Sequence, residues 1–545
     1  MFLLMVTIIA IDKYPIDKSK IVYELDSLTA YSTDSEISES LSEVDNVTVL
    51  TNFSYDRFTF EDRPGDEATF EEIENYRSRL RNAGKMYHSN KNRKLEKELN
   101  VSNYKQKYVS SYTPTIEYQF DKNEFMQNKD NILSNVTKNS NVDKVYIRGN
   151  DNKEANISDI ISDSNATSYL ASGQYTGSGI KVGILEPAVV DVNHTNMAGV
   201  NVTVYDNPWS LDLSNDHTTS MASIIAHQTA GIAPGVSIYS ADAVYGLSDE
   251  LDWFVDNGVH VVNMSYGEAN PDGEYSSDSA LVDYIAIMYF VTFVGAAGND
   301  GEEDGYVGNP GLGYNVLTVG NYSGTGTIYL ESSYLEVSGP EKPNLSVRGS
   351  AIIIPNLGCK TGTSISSAAM TGFVACLMQE KPALINFPDR TIALCMANSH
   401  QLPYYPNNTS NGLNLYSGAG LFDLAQASSK YYLMETYENN SFTFTNEVKV
   451  AEYTKYFSLG KTVSICCAWL AEATGDVDET RFTTYRMELY NSANQLIEEV
   501  SCGRSNYMMI PGIQITTQGN YKIKIYQTSL RQTRETEMVI LAIGY

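Results

Sequence analysis

Between about residues 155 and 430, short apolar runs rich in β-branched residues alternate with stretches of helical period. IKVGIL (180–185), VSIYSADAV (236–244), VHVVNMS (259–265), YFVTFVGAA (289–297) and NVLTVG (315–320) read as strands buried on both faces. Amphipathic pieces such as SMASIIAHQ and DELDWFVDNG lie between them. Parallel strands need a crossover, and a helix is the usual one, so this alternation predicts an α/β fold with a doubly wound, mostly parallel sheet. In such a sheet, reactive groups gather at the C-terminal ends of the strands.

The flanking zones differ in character. From about 431, SFTFTNE, EYTKYFSL, KTVSICCAWL, TTYRMELYN, SNYMMI and GNYKIKIYQ are short, alternating and separated by turn residues, the pattern of an all-β sandwich. Residues 1–65 include the acidic run STDSEISESLSEVD, which reads as solvated and mobile. Residues 66–154 begin with a charged helical stretch and end as strand–helix–strand, TPTIEYQF through VDKVYI, an α+β pattern. A chain of 545 residues exceeds one core, so the expected division is 1–65, 66–154, 155–430 and 431–545.

Charge and cysteine usage narrow the classes of partner. With 38 Lys and Arg against 66 Asp and Glu, the formal charge of −28 opposes binding to nucleic acid or an anionic membrane. Six cysteines without zinc-type spacing read as buried thiols rather than a disulfide framework. The run FLLMVTIIA at 2–10 lacks a basic n-region and reads as a worn signal peptide or a first strand. No run is long enough to span a bilayer.

Four polar segments end strands or begin helices. KVGILEPAVVDVNH places Glu186 at the end of a strong strand, and NDHTTSMASIIAH places His217 at a helix start. FVGAAGNDG sets Asn299 behind Ala297 and Gly298, and KTGTSISSAAMTGF carries Ser364 into an apolar helix. Alone, Ser364 would be a helix-capping serine. Together these blocks resemble the subtilisin-like serine proteases (subtilases, peptidase S8). VGILE…DVNH is similar to the acid block, HTTSMASIIA to HGTHVAG, GAAGN to the oxyanion block and GTSISSAA to GTSxAxP, at intervals near the family's own. GIAPGVSIYSADAV, NMSYG and GAGLFDLAQA resemble the segments between and after them.

The resemblance implies a serine endopeptidase working through an acyl-enzyme, with Ser364 as nucleophile, His217 as general base and Glu186 as the acid. Asn299 would supply the oxyanion donor. Ser265, Tyr266 and Gly267, with Ala297 and Gly298, would line the substrate strand. Within residues 66–154, YVSSYTPTIEYQF through VDKVYI resembles a prodomain acting in cis, with its junction near Arg148–Asn156; the alternative is a permanent N-terminal domain. The prodomain reading implies a secreted or cell-surface zymogen acting on proteins or peptides. No cofactor is required; the family often holds structural calcium, for which no matching residues stand out. DGEEDG at 300–305 suggests a preference for a basic residue before the cut.

Several family positions differ. The acid is glutamate rather than aspartate, followed by Pro187-Ala188, and the extra methylene moves the carboxylate by roughly 1.5 Å. Asp191 is the rival acid, although Asp191 and His194 look structural. HGTH has become HTTS, and the proline four residues past the nucleophile is Ala368. Two alternatives to the protease stay open: an impaired pseudoprotease, and a peptide-binding surface protein.

Overall fold

The computed structural model describes residues 20–24, 46–53, 86, 90–104, 106–109, 115–150, 155–205, 214–243, 247–267, 273–301, 305–336, 338–402, 409–429, 434–438, 447–473, 482–529 and 536–544. The runs at 2–10 and 32–45, most of the charged helical stretch and part of DGEEDG lie outside them. The chain forms two compact units, Met1–Lys153 and Glu154–Tyr545.

In the first unit, five strands pair in the order β1-β5-β2-β4-β3: β1 (Ile21–Glu24), β2 (Asn46–Phe53), β3 (Gln106–Val109), β4 (Thr115–Asp121) and β5 (Val142–Asn150). Helix α1 (90–99) and helix α2 (Lys122–Thr137) cover the sheet. Asp121 ends β4 and caps α2 by accepting from the Asn123 N–H at 2.9 Å. Leu95, Leu99, Phe120, Phe125 and Val136 close the core of this unit.

The second unit is built on a nine-stranded sheet, β16-β17-β13-β12-β11-β10-β7-β9-β8, parallel except for the pair β16 (Ser399–His400) and β17 (Leu421–Phe422). Its centre is β7 (Lys181–Glu186), β10 (Val261–Met264) and β11 (Thr292–Ala296), joined in register at Val182, Val261 and Thr292. On either side lie β9 (Ser237–Asp242) with β8 (Asn201–Val204), and β12 (Val316–Tyr322) with β13 (Leu345–Arg348). The mostly parallel α/β architecture expected from the alternation is present.

Helices α3 (Ile157–Asp163) and α4 (Thr167–Ala171) precede β7, α6 (Ser248–Asp256) precedes β10 and α7 (Ser277–Tyr289) precedes β11. Helix α5 (Asp216–Ala226) and helix α8 (Thr363–Glu380) pack together on this sheet. Almost every side chain of α8 is buried, because it lies between α5 and strands β10 to β13. That burial explains its all-round apolar and small-residue sequence. A hairpin, β14 (Ile352–Ile354) and β15 (Gly358–Lys360), leads into α8, and β6 (Ala155–Asn156) pairs in parallel with β14.

Past residue 430 the strands form two antiparallel four-stranded sheets, β18-β25-β20-β23 and β19-β24-β21-β22, where β18 is Met434–Glu438, β19 Val448–Phe457, β21 Thr484–Tyr490, β22 Leu496–Ser501 and β24 Gly519–Ser529. They enclose a core that includes Val463, Trp469, Tyr485, Ile523 and Leu541. Residues 155–430 and 431–545 fall in one compact unit, and the packing shows why. Helix α9 (Pro388–Ala397) lies against β20 (Thr462–Ala468), β23 (Tyr507–Gln514) and β25 (Thr536–Gly544). The outward side chains Cys466, Ala468, Tyr507, Met509, Ile540 and Ala542 therefore join the core of the nine-stranded sheet. Five of the six cysteines are buried and none is disulfide-bonded; Cys359, on the hairpin, is exposed.

Candidate active site

Strand β7 ends at Glu186, β10 is followed by Ser265 and β11 by Ala297–Asn299, so three adjacent parallel strands deliver their last residues to one rim. Helices α5 and α8 begin there and supply His217 and Ser364 from their first turns. Asn215 caps α5 by accepting from the Thr218 N–H at 2.7 Å, which fixes the turn carrying His217.

Glu186 is fully buried, and its Oε2 lies 3.5 Å from Nδ1 of His217, whose side chain is 42% exposed. Oε1 accepts from the Ser265 N–H at 2.9 Å and from the Asn263 side-chain amide at 3.2 Å. Oε2 has no hydrogen-bond partner among the described residues, so its facing group is the imidazole. Burial pushes the Glu186 carboxyl up to about 8, with the bonds from Ser265 pulling the other way. Burial, and secondarily the charge of Lys360, lower the pKa of His217.

Ser364 does not cap α8. Gly362 occupies the cap position, Thr363 is the first helical residue, and Ser364 follows it. The Ser364 hydroxyl donates to the Ser265 carbonyl at 2.8 Å, while the Ser265 hydroxyl donates to the Ser364 carbonyl at 2.7 Å. This reciprocal clasp ties β10 to the start of α8. Among the described residues, the Ser364 hydroxyl therefore bonds Ser265 rather than His217.

The cap function falls to Asn299. Its Oδ1 accepts from the Thr363 N–H at 2.9 Å and stands 3.1 Å from Thr363 Oγ1. With Oδ1 so engaged, the amide nitrogen is the end left to face the rim. The N–H of Ser364 belongs to the first helical turn, where backbone donors have no intrahelical acceptor. Gly298, at φ +111, brings Asn299 this close to the helix; a Cβ there would sit 2.9 Å from Ser333 Oγ.

The remaining residues singled out in the sequence take different places. Ser265 is 2% exposed, and its N–H, hydroxyl and carbonyl are all engaged within the chain. Tyr266 is half-buried against the cluster around Val262 and Phe293, and Gly267 is exposed opposite Gly308 and Asn309. Ala297 donates to the Val319 carbonyl and accepts from Gly308, and Gly298 donates to Thr363 Oγ1 and accepts from Ser333, so both form wall rather than hydrogen-bonding edge. Asp191 accepts from the Asn193 N–H at 2.9 Å in a local turn, and His194 accepts from the Asn196 N–H at 3.2 Å. Neither approaches the imidazole through any hydrogen bond among the described residues.

Asn263 was not singled out by sequence reasoning, although its place in the apolar run VHVVNMS was a usable signal: a polar residue at a fully buried strand position needs partners. The structure supplies them in Glu186, Ser265 and Ser367. Among the described residues, no cluster of three or more His, Cys, Asp or Glu side chains is arranged to hold a metal ion. Nor, among those residues, is any helix long and apolar enough to cross a membrane.

Residues 177–420 match the subtilase family, peptidase S8. That stretch is therefore similar to the subtilisin-like serine proteases. It is 26% identical over 227 residues to alkaline elastase YaB of Bacillus sp. (strain YaB), covering 39% of this chain and 57% of that protein. It is 26% identical over 271 residues to subtilisin Savinase of Lederbergia lenta, covering 46% of this chain and 92% of that protein. Against the longer M-protease of Shouchella clausii (strain KSM-K16), at the same identity, the match covers 65% of the relative. Among solved structures, the prenylagaramide maturation protease PagA is similar at a TM-score of 0.40 and 23% identity, over 48% of this chain and 97% of that one.

Proposed function

We propose that the chain is a serine endopeptidase using Glu186, His217 and Ser364 through an acyl-enzyme intermediate. The observation that carries this reading is the convergence at one strand-end rim: a buried carboxylate facing His217 Nδ1 at 3.5 Å, beside a helix-start serine clasped to the strand that also binds that carboxylate. Ionised Glu186 holds the proton on Nδ1, leaving Nε2 free to accept. As substrate enters, the Ser364 hydroxyl turns from the Ser265 carbonyl to His217, and Oγ attacks the scissile carbonyl as its proton passes to Nε2. The oxyanion is met by the Ser364 N–H and the Asn299 amide nitrogen. His217 then protonates the leaving amine, and a water, deprotonated by the same imidazole, releases the acyl group from Oγ.

Tyr266 and Gly267 are the proposed edge for an extended substrate, since the polar groups of Ser265 are occupied until Ser364 turns. The first unit is proposed as a prodomain, removed near Arg148–Asn156, in a secreted or cell-surface enzyme. Wild-type chain is then expected to lose its N-terminal unit at that junction, while Ser364→Ala stays full length by intact mass. Cleavage of the Ser364→Ala chain at the same site would remove self-processing.

A second reading, peptide binding without turnover, is favoured by one feature, the Ser364 hydroxyl bonded to Ser265 rather than His217. Hydrolysis of a fluorogenic peptide library separates the two. Turnover lost in Ser364→Ala supports the protease, and saturable peptide binding with no product supports the second reading.

A further inference from the structure

In a strand end where the acid is followed by Pro187, the next residue has no N–H to give it. Glu186 instead reaches sideways to β10, where Asn263 and Ser265 share Oε1. Asn263 is fully buried and is the junction of this arrangement. One hydrogen of its amide nitrogen goes to Glu186 Oε1 at 3.2 Å and the other to Ser265 Oγ at 2.9 Å. Its Oδ1 accepts from Ser367 Oγ at 3.0 Å, one turn beyond Ser364 on α8, with Thr371 Oγ1 at 3.3 Å on the following turn.

A single side chain thus contacts the acid, the strand residue clasping the nucleophile and the helix that carries it. Its Oδ1 also lies 3.1 Å from Ser265 Oγ, and a rotated amide would set that oxygen against the Glu186 carboxylate. We propose that Asn263 is a positioning residue for the hydrolytic reaction, holding Oε1 of Glu186 so that Oε2 faces His217 while locking that pair to α8. This rests on the protease reading given above. The role is positional, since Asn263 is buried behind Ser265 and Glu186 and has no route to substrate.

Asn263→Asp tests it. The replacement is isosteric and keeps an acceptor for Ser367 and Ser265, but removes the N–H donated to Glu186. The groups around the carboxylate are His217 on α5, Asp242, its register partner on β9, and Asn263 and Ser265 from β10; Lys360, on the hairpin, acts on His217. Glu186 and His217 take up a proton as a pair, so losing a donor to the carboxylate makes that proton bind more tightly. The acid limb of the pH–rate profile should move to higher pH.

Wild type and Asn263→Asp would be compared by peptide hydrolysis across pH, normalised to folded protein. The expected result is a fall in kcat of roughly 10- to 100-fold, KM changed less than about twofold, and the acid limb shifted upward. Asn263→Ala should show the same limb shift. Wild-type kcat with an unmoved limb in Asn263→Asp would overturn the proposal, as would failure of that variant to fold, because Asn263 would then serve architecture alone. A wild-type chain with no Ser364-dependent hydrolysis would instead overturn the underlying protease reading.

Discussion

At the residue scale, Glu186, the proposed acid, is expected to govern both pH dependence and stability. Its carboxyl is raised to about 8 in the fold, whereas in the unfolded chain it sits near the ordinary value of about 4.3. The fold therefore favours the protonated form. That stabilisation is complete below the ordinary carboxylate range and is lost as pH climbs through about 8. The proposed mechanism needs the ionised form, so kcat/KM on peptides should rise along an acid limb near pH 8. His217, lowered by burial, would by itself place the limb below about 6.5, and a limb there would contradict the assignment of Glu186. Glu186→Gln should cut kcat on the order of 10³- to 10⁴-fold by abolishing orientation of the imidazole. The same substitution removes the buried ionisation, so differential scanning calorimetry should show its Tm gain over wild type larger near pH 9 than near pH 5.

At the element scale, the start of α8 depends on a group outside the helix. Gly362 offers no capping side chain, and the Asn299 side-chain oxygen Oδ1 accepts from the Thr363 N–H instead. Asn299→Ala therefore removes two things together, the donor proposed for the oxyanion and the external cap of the nucleophile's helix. Turnover should fall by about 10²- to 10³-fold, and chemical denaturation should show a loss on the order of 1 kcal/mol. Turnover within about twofold of wild type would take Asn299 out of the proposed oxyanion site. Gly362 suits this turn by its backbone, since φ +154 is a conformation that L side chains rarely adopt. The strands and helices around this site were legible in the sequence from the period of their apolar runs, and the four polar blocks from their resemblance to subtilase motifs. What Ser364 bonds to was not legible, because the clasp with Ser265 joins residues 99 apart in sequence. Asn263 escaped notice for a similar reason: three of its partners come from other elements, and no local pattern announces them.

At the scale of the whole molecule, the C-terminal sandwich is part of the structural core that supports the rim. Its division from the preceding zone was read from composition, which registers a change of strand pattern but not the docking of α9 on β20, β23 and β25. Buried polar bonds reinforce the seam. Asn315 donates to the Ala471 carbonyl at 3.0 Å, and Glu341 accepts from Ser505 at 2.8 Å. Ala542→Asp should therefore destabilise the protein by about 2–5 kcal/mol through an unpaired buried charge, measured by denaturant unfolding, and a chain ending near 430 should fail to fold. A truncated chain retaining full Tm would show the sandwich to be an accessory. The central claim is that Ser364 is an activated nucleophile, and fluorophosphonate labelling of the purified chain followed by peptide mass mapping addresses it most directly. The expected result is one adduct on Ser364, absent from Ser364→Ala and strongly slowed in His217→Ala and Glu186→Gln. An unlabelled wild-type chain, or an adduct insensitive to His217, would contradict it.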